Sequence, residues 1–271
     1  VLDESIPEQP MRTIAVFNQA GGVGKTTLAL NLGHRVAERG FKVLVVDLDP
    51  QATLTSFLGL TPADLEETIF GALLKKHSLP IIQNLHGMDL VPSNILLAGA
   101  EQELISALNR EARLRRTLDT VRAAYDLCIV DCPPSLGLLA TMGLAAADGV
   151  LVPVQTHFKA YLGTDQLLRT VDEVRAELNP SLKILGFVPM QFAKGTRHDQ
   201  DVLEALTAQL QARGPVLLPI GYSADFKKSS LELKPLGAFN PKHPSVMVLD
   251  EVADVALLEL LGYNGRSEGA P

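Results

Sequence analysis

Short, nearly unbroken apolar runs recur along the chain at 12–17, 42–47, 88–91, 127–131, 149–154, 184–190 and 216–219. A strand covered on both faces reads this way, because neither face has to meet water. Between the runs, apolar positions return every three or four residues, at 24–39, 68–74, 98–123, 135–145, 161–178, 199–211 and 246–261. Those stretches predict helices. Gly40 is placed to close the first of them, and Asn179-Pro180 to close the fifth. Strands and helices alternating on short connections predict an α/β domain: a doubly wound, mostly parallel sheet with helices on both faces. It is expected over 11–263, between a flexible N-terminal arm, 1–10, and a frayed C-terminal tail, 264–271.

Ligands in such sheets gather at the carboxyl ends of the strands. The first strand ends in Gln19-Ala20-Gly21-Gly22-Val23-Gly24-Lys25-Thr26-Thr27 and a helix follows. Strand, glycine-rich loop and helix N-terminus together make a phosphate cradle. Glycines let backbone N–H groups curl around oxygens, and the helix end adds partial positive charge. Lys25 can reach the outer phosphates and the Thr26 hydroxyl can ligate Mg²⁺. Two further runs end in carboxylates, Asp47 with Asp49 and Asp131. Asp131 closes a hydrophobic strand as a magnesium-holding acid does, and Asp47 and Asp49 are expected to face the same metal and an attacking water. Phosphoryl transfer rests on positioning and electrostatics, so these few groups suffice. Met190 and Pro219, at the ends of late strands, are candidates to flank a base.

Composition narrows the class. The chain has 271 residues, 46% hydrophobic and 20% charged, which suits a globular protein with a sizeable core. Its net charge of −7 argues against a constitutive nucleic-acid binder. The charge is uneven, however: from Lys183 to Lys242 eight basic residues stand against five acidic ones. Lys227, Lys228 and Arg197 are the first candidates there for phosphate contacts of the sequence-independent kind. The two cysteines, Cys128 and Cys132, share one strand and point to a reducing compartment. The longest apolar region, 136–154, is broken by Asp148, Pro153 and three glycines, so it reads as helix then strand, not a membrane span.

The 19–27 loop departs from the standard phosphate-loop spacing, which wants a glycine where Gln19 stands. It resembles the deviant Walker A loop of the ParA/MinD ATPases. Asp47-Leu48-Asp49-Pro50-Gln51 is similar to the first switch of ParA proteins, and Asp131-Cys132-Pro133-Pro134-Ser135 to the second. Val91-Pro92-Ser93 ahead of a helical stretch is also ParA-like. The resemblance implies ATP and Mg²⁺ as ligands and an ATP-sandwich homodimer as the active form. It implies Lys25 and Asp49 as catalytic residues, Gly21 to Thr27 on the nucleotide, and Thr26, Asp49 and Asp131 around the metal.

One position breaks the pattern. The family's signature lysine, which crosses to the partner's phosphates, falls on Ala20. Either hydrolysis is crippled, or Ala20 is an introduced substitution, or a cation comes from elsewhere. Lys159, in Gln155-Thr156-His157-Phe158-Lys159-Ala160-Tyr161, is the candidate replacement. A lost signature lysine with a lysine in this segment resembles the carboxysome-positioning (McdA-type) ATPases of cyanobacteria.

By that resemblance the expected function is a slow, adaptor-stimulated ATPase. Its dimer binds nucleoid DNA non-specifically and positions a cargo, carboxysomes first among them. The expected location is the cytoplasm, on the nucleoid, with a McdB-like or ParB-like adaptor. The alternatives are a plasmid or chromosome partition ATPase and a nucleotide-gated DNA-binding regulator without transport. Relatives of the MinD type dock on lipid through a basic C-terminal helix. Here 245–263 carries Asp250, Glu251, Asp254 and Glu259 and no Lys or Arg, so it is expected to pack and not to bind membrane. An iron–sulfur cluster of the nitrogenase-reductase kind is disfavoured by the cysteine count.

Overall fold

The computed structural model describes residues 10–75, 77–156, 158–193 and 197–263, with the side chains of 158–162 and 198 excepted. The expected arm and tail fall almost wholly outside those residues. Seven strands form one sheet: β1 (Arg12–Val16), β2 (Val43–Asp47), β3 (Ile82–Leu85), β4 (Met88–Val91), β5 (Leu127–Asp131), β6 (Gly149–Gln155) and β7 (Lys183–Met190). Their order is β3-β4-β2-β5-β1-β6-β7. Every pairing is parallel except β3 against β4. Successive residues of the central strands feed opposite layers, as a pleated strand requires. Leu44, Val46, Cys128 and Val130 pack on one side, and Val43, Val45, Leu127 and Ile129 on the other.

One layer holds α1 (Lys25–Ala37) and α11 (Pro244–Leu261), which pack against each other. Gly33 lets α1 lie close on the sheet, since a Cβ there would stand 2.6 Å from Met88 Sδ and 3.0 Å from Val45 Cγ1. Arg35 binds Asp250 at 2.8 Å and Arg39 binds Asp254 at 3.0 Å. Asp250 and Asp254 of the C-terminal helix therefore face α1, and the helix packs as expected. Among the described residues no helix is long and apolar enough to cross a membrane. The other layer holds, among others, α3 (Ile69–Leu73), α5 (Arg113–Asp119), α6 (Leu138–Ala146), α7 (Phe158–Glu177) and α8 (Arg197–Leu210).

Several local expectations are corrected. The single helix over 98–123 is instead α4 (Ala100–Leu104) and α5, separated by irregular chain and flanked by 3₁₀ turns at Ile95–Gly99 and Arg110–Ala112. Asn109 at φ +52° breaks the run, a left-handed geometry that asparagine tolerates. The 216–219 run is no strand. Only Val216 bridges to Phe187 and Gly221 to Phe192, because Pro215 and Pro219 have no N–H to give a ladder. β3 and the short helices α2 (Thr53–Phe57), α9 (Ala224–Leu231) and α10 (Leu236–Phe239) carry too little periodicity to be read beforehand. α7 starts at Phe158, so Lys159 sits in its first turn and not in a loop.

Candidate nucleotide site

The loop after β1 turns through Gly22 (φ +73°) and Gly24 (φ +93°), both in the left-handed region that favours glycine. Gly24 caps α1 without any side-chain cap, and no acid stands in the first helical turn. The first N–H groups of α1 are therefore left for an anion. Lys25 is only 7% exposed, and its Nζ donates to the Ala20 carbonyl at 2.8 Å. Burial draws its pKa down, while Asp131, Cys132 and Asp49 pull it back up.

Three side chains missed in the sequence hold this loop. Asn18 accepts from Ala20 N–H at 2.9 Å and donates to the Pro153 carbonyl at 2.7 Å. The amides of Gln155 and Gln191 both donate to the Gly22 carbonyl at 3.0 Å. Asn18, adjoining the motif, could have been suspected. The two glutamines carry no local signal, because β6 and β7 bring them there.

Strand pairing sets Asp131 directly beside Asp47 on β2. Both Asp131 oxygens are buried and have no hydrogen-bond partner. Burial first, and the Asp47 charge second, hold its carboxyl well above the usual range. The neighbouring Thr26 hydroxyl and Lys25 offset part of this. A buried, unsatisfied carboxylate beside a hydroxyl and an ammonium fits a magnesium site, where the cation supplies what the protein withholds. Among the described residues no three His, Cys, Asp or Glu side chains form a metal cluster. Cys128 and Cys132 are both buried and free.

Asp47 and Asp49 differ in burial and in partners, and the charges of both act on Asp131. Asp47 is fully buried and committed: Oδ2 accepts from Thr55 N–H at 2.8 Å and Thr55 Oγ1 at 2.7 Å, and Oδ1 from Asp49 N–H at 3.2 Å. Burial dominates and pushes its pKa up to about 6. Asp49 is half-buried, and its Oδ1 accepts from Gln51 N–H at 2.9 Å. Thr55 Oγ1 accepts from Ser93 N–H at 3.0 Å, and Ser93 Oγ donates to the Asp49 carbonyl at 2.8 Å. Ser93, the last residue of the Val91-Pro92-Ser93 motif, thus fixes the turn that carries Asp49.

Ala20 is exposed on the outer side of the loop. Beside it lies a cavity of about 670 Å³ between the loop and α7, lined by Gln19, Ala20, Val154, Gly163 and Leu167 among others. The Lys159 side chain lies outside the described residues. A second cavity, of about 720 Å³, opens on the other side of Gly24, with Thr27, Met190, Tyr222, Phe226 and Lys227 in its walls. It gathers Met190 as expected. Pro219 is not in its lining, which Ile220 and Gly221 provide instead.

Of the basic candidates, Lys228 is paired with Asp225 at 3.2 Å. Lys183, Arg213 and Lys234 are likewise paired, with Glu259, Asp172 and Glu232. Lys227 and Arg197 are exposed and make no ion pair with a described residue. Four of the eight basic residues between Lys183 and Lys242 are therefore paired in place.

Residues 11–184 match the family model described as an AAA domain. The fold and the loop place the chain in the class of phosphate-loop ATPases. Within it the chain belongs to the ParA/MinD-type family. It is 44% identical over 198 residues to the chromosome partitioning protein ParA of Myxococcus xanthus, covering 71% of this chain and 69% of that one. It is 37% identical to a solved cobyrinic acid a,c-diamide synthase of Mycobacterium smegmatis with bound ATP analogue and magnesium, at a TM-score of 0.80 over 92% of this chain and 95% of the other. A Cyanothece McdA variant in complex with ATP superposes at a TM-score of 0.83, over 96% of this chain and all of the other. At 23% identity that last likeness shows the fold alone.

Proposed function

We propose that this chain is a ParA-type ATPase that binds Mg²⁺·ATP at the loop after β1 and hydrolyses it slowly as a homodimer. One observation carries the reading: an uncapped helix N-terminus, a buried lysine and a buried, unpartnered carboxylate converge where phosphates and a metal would neutralise all three. Gly21, Gly22, Val23, Gly24, Lys25, Thr26 and Thr27 hold the phosphates. Thr26 and Asp131, with Asp49 nearby, would hold the magnesium, which would supply charge neutralisation to the transferring phosphoryl group. Asp49 orients the water that attacks the γ-phosphorus, so that the bond to the bridging oxygen breaks and ADP and phosphate leave. Met190 flanks the base in the 720 Å³ cavity, and Ile220 takes the place expected of Pro219.

Ala20 offers no charge to the transition state, and Lys159 of the partner copy is the proposed substitute. ATP closes the dimer, the dimer binds DNA through exposed cations, and an adaptor on the cargo triggers hydrolysis and release. The loss of the loop lysine at Ala20 together with Lys159 favours a carboxysome-type cargo over a plasmid or chromosome. The cytoplasm, on the nucleoid, is the corresponding location.

Purified protein should bind ATP only with Mg²⁺ and release phosphate. Lys25→Ala should abolish binding, and Asp49→Ala should bind ATP but lose turnover. Lys159→Ala should keep ADP affinity and lose ATP-dependent dimerisation or turnover. Parent-like hydrolysis by the Lys159 variant removes that residue from the mechanism.

A further inference from the structure

Among the described residues a group of unpaired cations lies on the sheet face opposite α1, away from the sequence candidates. Between positions 110 and 122 five arginines stand against two acids. Those acids are spent: Glu111 on Arg110 at 3.0 Å and Asp119 on Arg122 at 3.0 Å. Arg113, Arg115 and Arg116 remain without an ion pair to a described residue, in a chain whose net charge is −7. Where α3 ends and α5 begins, two of them line a pocket of about 310 Å³ with Lys75, His77, Ser78 and Thr120. Among the described residues no acid lines it.

The pocket is built, not accidental. Arg113 Nη1 donates to the Leu73 carbonyl at 2.9 Å, which fixes that half-buried guanidinium in the pocket wall. Lys75 is set by a left-handed turn (φ +59°), with its N–H on the Ala72 carbonyl at 3.0 Å. The Arg116 and Lys75 side chains are exposed at the mouth. Arginine forks and hydroxyls are the donors that suit phosphate oxygens. One further cation, Arg115, stands on α5 outside the pocket lining, and the open, exposed mouth suits a backbone phosphate better than one enclosed anion.

We propose that this pocket, with α5, seats backbone phosphates of double-stranded DNA. The inference rests on the DNA-binding reading above and moves the principal contact from Lys227 and Lys228 to Lys75 and Arg116. It is tested by fluorescence anisotropy on a labelled random-sequence duplex with Mg²⁺·ATP across a salt series. Lys75→Glu with Arg116→Glu should weaken binding about tenfold or more and flatten the log–log salt slope by about two. Its thermal melt and basal ATPase rate should match the parent. Lys227→Glu with Lys228→Glu should have the smaller effect. If the first pair binds like the parent while the second loses DNA, the DNA reading stands and this pocket is not its seat. A parent that binds no duplex overturns both. A parent that takes inorganic phosphate or pyrophosphate in the pocket, with DNA affinity indifferent to Lys75 and Arg116, makes it a small-anion site and overturns the DNA assignment.

Discussion

Thr55 stands where three segments of chain meet, and a single hydroxyl serves two of them. It donates to the buried Asp47 carboxylate at 2.7 Å and accepts from Ser93 N–H at 3.0 Å. Thr55→Val keeps the shape and removes both bonds, leaving a buried acceptor and a buried donor short of partners. Such losses cost about 1–3 kcal/mol. Urea unfolding of the variant without nucleotide should show that loss with an unchanged m-value; a parent-like midpoint would mean that the network carries no stability. At Gly24 the expected effect falls on binding. An alanine there must adopt φ +93° and set its Cβ 2.8 Å from Met190 Cε, so Gly24→Ala should lose most ATP affinity by calorimetry while remaining folded. Gly24, Lys25 and Asp131 were readable from the chain because each belongs to a compact local pattern. Thr55, Gln155 and Gln191 were not, because their partners lie 38, 133 and 169 residues away.

At the scale of elements, the buried strands were the legible part, since a parallel strand covered on both sides leaves an uninterrupted apolar run. The helical period misled between 98 and 123. The apolar spacing continues through Ile105 and Leu108, but both point outward, so the pattern there records a surface and not a core. The switch that carries Asp49 depends on an element-to-element tie. Ser93 Oγ holds the Asp49 carbonyl, and the neighbouring Pro92 carbonyl accepts from Ile69 N–H at 2.9 Å at the start of α3. Ser93→Ala cuts the first of these bonds without touching the loop after β1. Under the proposed mechanism it should lower kcat by roughly threefold to tenfold through looser positioning of Asp49, with KM for ATP little changed. A rise in KM at constant kcat would place Ser93 in binding and not in orientation.

The whole molecule leaves an apolar surface that its own core does not use. Ile95, Leu96, Ile105 and Leu108 are exposed, Leu108 by 89%, as is Leu136 in the turn after Asp131. The segment bearing the first four is fastened beside that turn, because Glu101 Oε1 on α4 accepts from Leu139 N–H at 3.1 Å at the start of α6. Apolar area gathered next to a charged nucleotide edge suits a second copy of the chain better than solvent. Ile105 and Leu108 touch none of the proposed nucleotide ligands, so their loss separates association from binding. Ile105→Glu with Leu108→Glu should leave monomeric Mg²⁺·ATP affinity at the parent value. Light scattering after gel filtration should show the parent shifting to dimer with Mg²⁺·ATP and the variant remaining monomeric. Turnover should fall with the dimer, because each active site then lacks the cation proposed to come from its partner. A variant that dimerises as the parent does would take this surface out of the interface. A variant that stays monomeric yet hydrolyses ATP at the parent rate would show that each copy completes its own site.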